Sequence, residues 1–194
     1  MSKITLLFTF CFLFGLGALL AQTEGNDNGN GNSNSNNVNI SFPQFVTINI
    51  TTTNSPDVNF TLNSDGLEAG DEFIIDEENS DLWINYTSVI NGAGSTRSIT
   101  VESSSIPSLP GLTLQVIASD HIGNGGGQVG SSTSIVTPSS LPTDVISGIG
   151  STFTGSGNSN GHNLTYYLDY TGDFGALTVE DVSQVISMAY TISD

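Results

Sequence analysis

Strict alternation of apolar and polar residues constrains this chain more than any other feature. Leu164, Tyr166, Leu168 and Tyr170 interleave with Thr165, Tyr167, Asp169 and Thr171. Ile186, Met188, Tyr190 and Ile192 interleave with Ser187, Ala189, Thr191 and Ser193. Successive strand side chains point to opposite faces, so a period of two marks strands with one dry and one wet face. The same period runs through Val38-Ile40-Phe42 and, after Pro43, through Val46-Ile48-Ile50. Proline cannot donate to a ladder, which places a break or a sheet edge at Pro43.

Shorter runs fill the middle of the chain. Val58 to Leu62, Phe73 to Ile75, Leu82 to Val89, Ser98 to Glu102, and Leu112 to Ala118 read as strands, with weaker runs at Ser134–Thr137 and Asp144–Ser147. Turn residues separate them at Asn63-Ser64-Asp65-Gly66, Asn91-Gly92-Ala93-Gly94, Pro107 to Gly111, Asn124 to Gly127 and Gly155 to Gly161. Many short strands at this spacing predict an all-β, antiparallel, two-sheet sandwich rather than a βαβ fold. Only Gly175 to Val182 has the look of a helical turn. The last strand, with four apolar side chains on one face, is expected in a central or well-paired position.

Three segments follow. Residues 1–21 read as a secretory signal: Lys3, an apolar run from Ile4 to Leu20, and Ala21 before the cut. Residues 22–37, with the sequence TEGNDNGNGNSNSNN from Thr23, have nothing to bury and read as a flexible Gly/Asn/Ser linker. Residues 38–194 form the sandwich domain. The protein is therefore expected to be exported, to the periplasm, the cell surface or the medium. No later apolar stretch is long enough to span a bilayer as a helix, so no transmembrane segment is expected after cleavage.

Charge and cysteine usage narrow the function. The single cysteine, Cys11, lies in the signal, so the mature chain holds itself by burial and backbone pairing without a disulfide. Once Lys3 is removed, Arg97 is the one strong cation against 19 acids. So negative a surface repels nucleic acid and favours solubility. Arg97 is expected to pair with a buried or half-buried acid and to fix the strand bearing Ile99 and Val101.

Candidate chemistry is thin. The acids from Asp71 to Asp81 are the densest cluster, and Asp76, Glu77, Glu78 and Asp81 are the candidate ligands for calcium. The stretch lacks the Asp-x-Asp-x-Asp-Gly spacing of a calcium loop and reads first as a solvated loop between strands. His121 and His162 stand far apart in sequence and outside any metal-ligand spacing, and read as polar turn residues. No phosphate loop is present, so the glycines from Gly123 to Gly130 read as hairpin loops. Five Asn-x-Ser/Thr matches, at Asn39, Asn49, Asn59, Asn85 and Asn163, are expected by chance in so Asn- and Thr-rich a chain. The expectation is a protein that is not an enzyme. Trp83, Tyr86, Tyr166 and Tyr167 are the candidates for stacking on a carbohydrate, with core packing as the plainer reading.

The segments Leu82-Trp83-Ile84-Asn85-Tyr86-Thr87-Ser88, Arg97-Ser98-Ile99-Thr100-Val101, Leu109-Pro110-Gly111-Leu112-Thr113-Leu114 and Ala189-Tyr190-Thr191-Ile192-Ser193-Asp194 carry a resemblance. Together they resemble secreted β-sandwich proteins of Gram-negative bacteria and, more distantly, spore-coat-U-like and pilin-related domains. The resemblance implies an immunoglobulin-like sandwich with a structural or adhesive role, self-associating or joining a surface or fimbrial partner. In pilins an N-terminal alternating strand is donated to a neighbour, and Val38-Asn39-Ile40-Ser41-Phe42 has that form. The chain departs from pilins in lacking a disulfide and a glycine before the C-terminal tyrosine. The other expectation is an extracellular carbohydrate- or calcium-binding module.

Overall fold

The computed structural model describes residues 36–61, 66–71, 76–105, 110–176 and 185–194. The expected signal, most of the expected linker, the expected Phe73–Ile75 strand, and the part of the expected helical turn beyond Ala176 lie outside them. The chain divides into two units, Met1–Ile40 and Ser41–Asp194. Of the first, residues 36–40 are exposed and carry no regular secondary structure.

The second unit is all-β. Among its described residues are β1 (Phe45–Thr52), β2 (Asp76–Val89), β3 (Arg97–Ser105), β4 (Leu112–Ala118), β5 (Gly126–Ser132), β6 (Thr143–Phe153), β7 (His162–Tyr170) and β8 (Ser187–Ser193). Among the described residues one short 3₁₀ turn, Phe174–Ala176, is the helical content. Every pairing is antiparallel.

The hydrogen-bonded path runs β4-β7-β2-β6-β3-β8, with β1 on β2 and β5 on β6. Two sheets were expected from the sequence; the ladder joins them into one eight-stranded sheet. The joint is narrow: β2 and β6 pair only through Thr87↔Phe153 and Ser88↔Thr152. On one side of it lie β1, β2, β7 and β4, and on the other β5, β6, β3 and β8. The sheet folds at this joint so that its two halves share one core.

Alternation explains the core. Leu82, Ile84 and Tyr86 of β2, Leu164 and Tyr166 of β7, and Val116 and Ala118 of β4 meet Ile99 and Val101 of β3 and Val145, Ile146 and Ile149 of β6. Each large aliphatic side chain removed from water here contributes about 1.5–3 kcal/mol. Extra residues on β6 shift its register against β3 and β5. Such bulges bend a strand and sharpen its twist, which lets β6 serve both its own half and the joint.

Three expectations are corrected and a fourth is met in one of its two forms. Val38, Ile40 and Phe42 are not in a strand; they are 74%, 74% and 85% exposed. Val58 and Phe60 pack against the core from a segment without regular structure. The glycine run after Gly125 is strand β5 rather than a hairpin loop. The last strand, β8, is well paired, with all seven of its residues in register with β3, and among the described residues it ends the path rather than lying at its centre.

Candidate functional site

The four aromatic candidates separate by strand parity. Tyr86 and Tyr166 point into the core and are buried. The Tyr166 hydroxyl meets that of Tyr190 at 2.7 Å, bridging β7 and β8 across the core. Burial raises the pKa of both phenols, for Tyr190 with help from Tyr166. Trp83 and Tyr167 have the opposite parity and are half-buried on the outer face of β2 and β7. Trp83 lies opposite Asn163, and Tyr167 lies between Glu78 of β2 and Gln115 of β4. The structure therefore does not gather the four into one binding surface.

The acidic stretch is also placed differently from its expectation. Asp76, Glu77, Glu78 and Asp81 belong to the first part of β2, not to a loop. Asp76, Glu77 and Glu78 pair in register with Asp169, Leu168 and Tyr167. An extended strand turns successive carboxylates to opposite faces, whereas calcium needs several oxygens converging on a bent backbone. Asp81 instead accepts hydrogen bonds from Thr53 and Asn54. Among the described residues no three His, Cys, Asp or Glu side chains are grouped as a metal site requires.

The two histidines, distant in sequence, come together. His162 opens β7 with its side chain fully buried, and His121 lies edge-on to it with ring centroids 5.8 Å apart. The Tyr86 ring lies nearly parallel to that of His162, with centroids 5.7 Å apart. His162 Nδ1 lies 2.8 Å from the Ser119 carbonyl, and Nε2 lies 2.8 Å from the Tyr86 hydroxyl. That hydroxyl also contacts the Val129 carbonyl of β5. His121 Nε2 is 3.2 Å from the Thr154 carbonyl. With both ring nitrogens engaged, His162 has no lone pair to offer a metal. Burial lowers the His162 pKa and outweighs the Ser119 and Val129 carbonyls, which favour its charged form. Burial alone raises that of Tyr86. Nothing in the local sequence of either histidine signals this chain. It follows from the β2–β7 register, which sets Ile84 opposite His162.

Arg97 occupies a core-facing position of β3 and is 4% exposed. Its Nε donates to Asp194 Oδ1 at 2.7 Å, and its Nη1 donates to Ser88 Oγ at 2.9 Å and to the Phe45 carbonyl at 3.3 Å. The expected ion pair is present, with its burial reversed: the cation is buried and Asp194 is 70% exposed. Three strand ends, those of β1, β2 and β8, are tied to β3 by one guanidinium.

Two of the Asn-x-Ser/Thr asparagines are committed to structure. Asn85 holds the 157–160 loop through Gly157 and Asn160, and Asn163 Nδ2 donates to the carbonyls of Ser80 and Leu82. Among the described residues no helix is long and apolar enough to cross a membrane.

Comparison with protein-family models, with curated proteins and with solved structures finds no match to this chain.

Proposed function

We propose that this is an exported structural or adhesive protein of the cell surface that assembles by donating residues 38–42 to a neighbouring copy. The observation that supports this reading is the state of Val38, Ile40 and Phe42. They keep the period of a half-buried strand, yet all three are exposed and outside any ladder. An alternating apolar segment gains free energy only when its apolar face is covered and its backbone paired. The fold offers edges to pair with. Among the described residues strand β8 is paired on one side only, and its Met188, Tyr190 and Ile192 are half-buried at the margin of the core. Adding a strand to such an edge supplies backbone hydrogen bonds for affinity and side-chain pockets for register.

The test compares the protein from Gln22 onward with a Val38→Ser, Ile40→Ser, Phe42→Ser variant. The expected outcome is multimers in the parent by light scattering and by unheated SDS electrophoresis. The variant is expected to be a folded monomer that melts no higher than the parent, since none of the three side chains supports its own fold and only the parent gains from donation. A parent that is monomeric at every concentration overturns the reading.

A carbohydrate-binding role is the second reading, and the outward parity of Trp83 and Tyr167 is what favours it. It retains these two residues and releases Tyr86 and Tyr166 to the core. Loss of glycan-array binding in Trp83→Ala would support it, and silence of the parent on the array would remove it.

A further inference from the structure

We propose that Ser119, His162, Tyr86 and Val129 form an acid-sensitive latch that holds edge strand β5 and the loop after β4 onto the β2–β7 pair. The latch ties four elements through three contacts in one chain: the Ser119 carbonyl to His162 Nδ1, His162 Nε2 to the Tyr86 hydroxyl, and that hydroxyl to the Val129 carbonyl.

The proton count of this chain makes it sensitive. A carbonyl only accepts, so Nδ1 must carry hydrogen to bond Ser119. In a neutral imidazole Nε2 is then an acceptor. The Tyr86 hydroxyl has one hydrogen and two acceptors in reach, Nε2 and the Val129 carbonyl. Three links are thus served by two protons. A third proton, on Nε2, would complete the chain, with Nε2 donating to Tyr86 and Tyr86 donating to Val129. It would also create a full charge on a side chain with no exposure to solvent. A buried charge without a counter-ion in contact is costly.

The neighbours of His162 decide which tendency wins. From the loop after β4, His121 presents its ring edge and opposes a charge on His162. Asp120 on the same loop favours the charge, and its carboxylate also accepts from the backbone and hydroxyl of Ser132 at the end of β5. From β2 comes the neutral Tyr86, and from the end of β6 the uncharged Thr154, bonded to both the Tyr86 backbone and His121. Desolvation exceeds these contributions, so the folded protein resists a proton that the unfolded chain accepts.

The sign follows by linkage. A histidine held below its ordinary value stabilises the fold fully above that value, near pH 6.5, and the contribution is lost as pH falls below it. The rest of the molecule pushes the other way. The chain has 19 acids and two Lys/Arg, so early neutralisation of carboxylates relieves repulsion. A loss of stability between about pH 7 and about pH 5.5 therefore separates the latch from the general charge of the protein.

The experiment follows the histidine Cε1 protons by NMR and the melting temperature across this range, in the parent, Tyr86→Phe and His162→Gln. The expected result is a His162 midpoint below the ordinary histidine value and a parent melting temperature that drops by several degrees on acidification. His162→Gln, neutral at every pH, should flatten that drop. Tyr86→Phe removes the acceptor that an Nε2 proton would use, so the His162 midpoint should move further down; a role confined to packing would leave it in place. Hydrogen exchange should quicken at Val129 and Gly130 before it does in the centre of β2. A His162 midpoint at or above the ordinary value, a parent whose melting temperature is flat or rises on acidification, or a midpoint unmoved in Tyr86→Phe would overturn the proposal. If His162→Gln does not fold, the Tyr86→Phe midpoint decides.

Discussion

At the scale of single residues, the asymmetry of the Arg97–Asp194 pair has measurable consequences. Asp194 is well exposed, so its Coulomb contribution is screened, and Asp194→Asn should cost about 1 kcal/mol in a denaturant melt. Arg97→Met should cost about 3 kcal/mol, because it strips the Ser88 hydroxyl and the Phe45 carbonyl of a buried donor. Equal losses in the two variants would mean that the surface ion pair, rather than the buried hydrogen bonds, carries the stabilisation. Two glycines give a similar contrast. Gly161 has φ +83°, and a Cβ there would strike the Ile84 carbonyl oxygen on the β2 backbone. Gly92 has φ +97° but open space around it. Alanine at 92 should cost about 1 kcal/mol of backbone strain, whereas at 161 overpacking adds to it for about 3 kcal/mol. Comparable melting temperatures for the two variants would contradict this account.

At the scale of elements, the hydroxyl pair of Tyr166 and Tyr190 is the polar tie between β7 and the edge strand β8. Tyr190→Phe leaves one buried hydroxyl without its partner and should cost about 1 kcal/mol, and the double Phe variant should cost less than the sum of the singles. Burial raises the pKa of Tyr86, Tyr166 and Tyr190 in the fold. Their neutral forms therefore stabilise it below the ordinary tyrosine value near 10, and that contribution is lost as pH rises through it. Phenolate absorbance from these three should appear only with unfolding; its appearance in the folded protein at about pH 11 would refute the burial argument. The elements also show what the sequence could disclose. Strands β4, β7 and β8 were legible because each has one wet face and so keeps the period of two. Strand β5 was not, since Gly126 and Gly127 hold positions where a side chain would meet the Phe153 ring and the Ser151 carbonyl. Close approach selects glycine there, and glycine reads as loop. The start of β2 was missed because Asp76 to Glu78 pair by backbone with β7 while their side chains carry only acid. The Tyr86–His162 contact depended on register between strands some 75 residues apart, about which local pattern says nothing.

At the scale of the whole molecule, the charge pattern and the fold combine in a way that neither discloses alone. Beyond Lys3 the sequence offers one position, Arg97, to a protease that cleaves after lysine or arginine. The fold then closes that position. The Arg97 side chain is buried, and the Arg97–Ser98 bond lies inside β3, with Arg97 paired to Ile149 of β6 and Ser98 to Ser193 of β8. Proteolysis requires a locally extended, accessible segment, so cleavage here must wait for β3 to open from both neighbours. The protein from Gln22 onward should survive trypsin with its mass unchanged. Asn91→Lys, in the exposed turn between β2 and β3, supplies the missing accessible site and should be nicked there rapidly. Arg97→Met should not make the folded protein more durable, since the wild-type site is already out of reach. Cleavage after Arg97 in the native protein, at a rate like that of the Asn91→Lys turn, would show that β3 opens readily and that the guanidinium does not hold the four strand ends together.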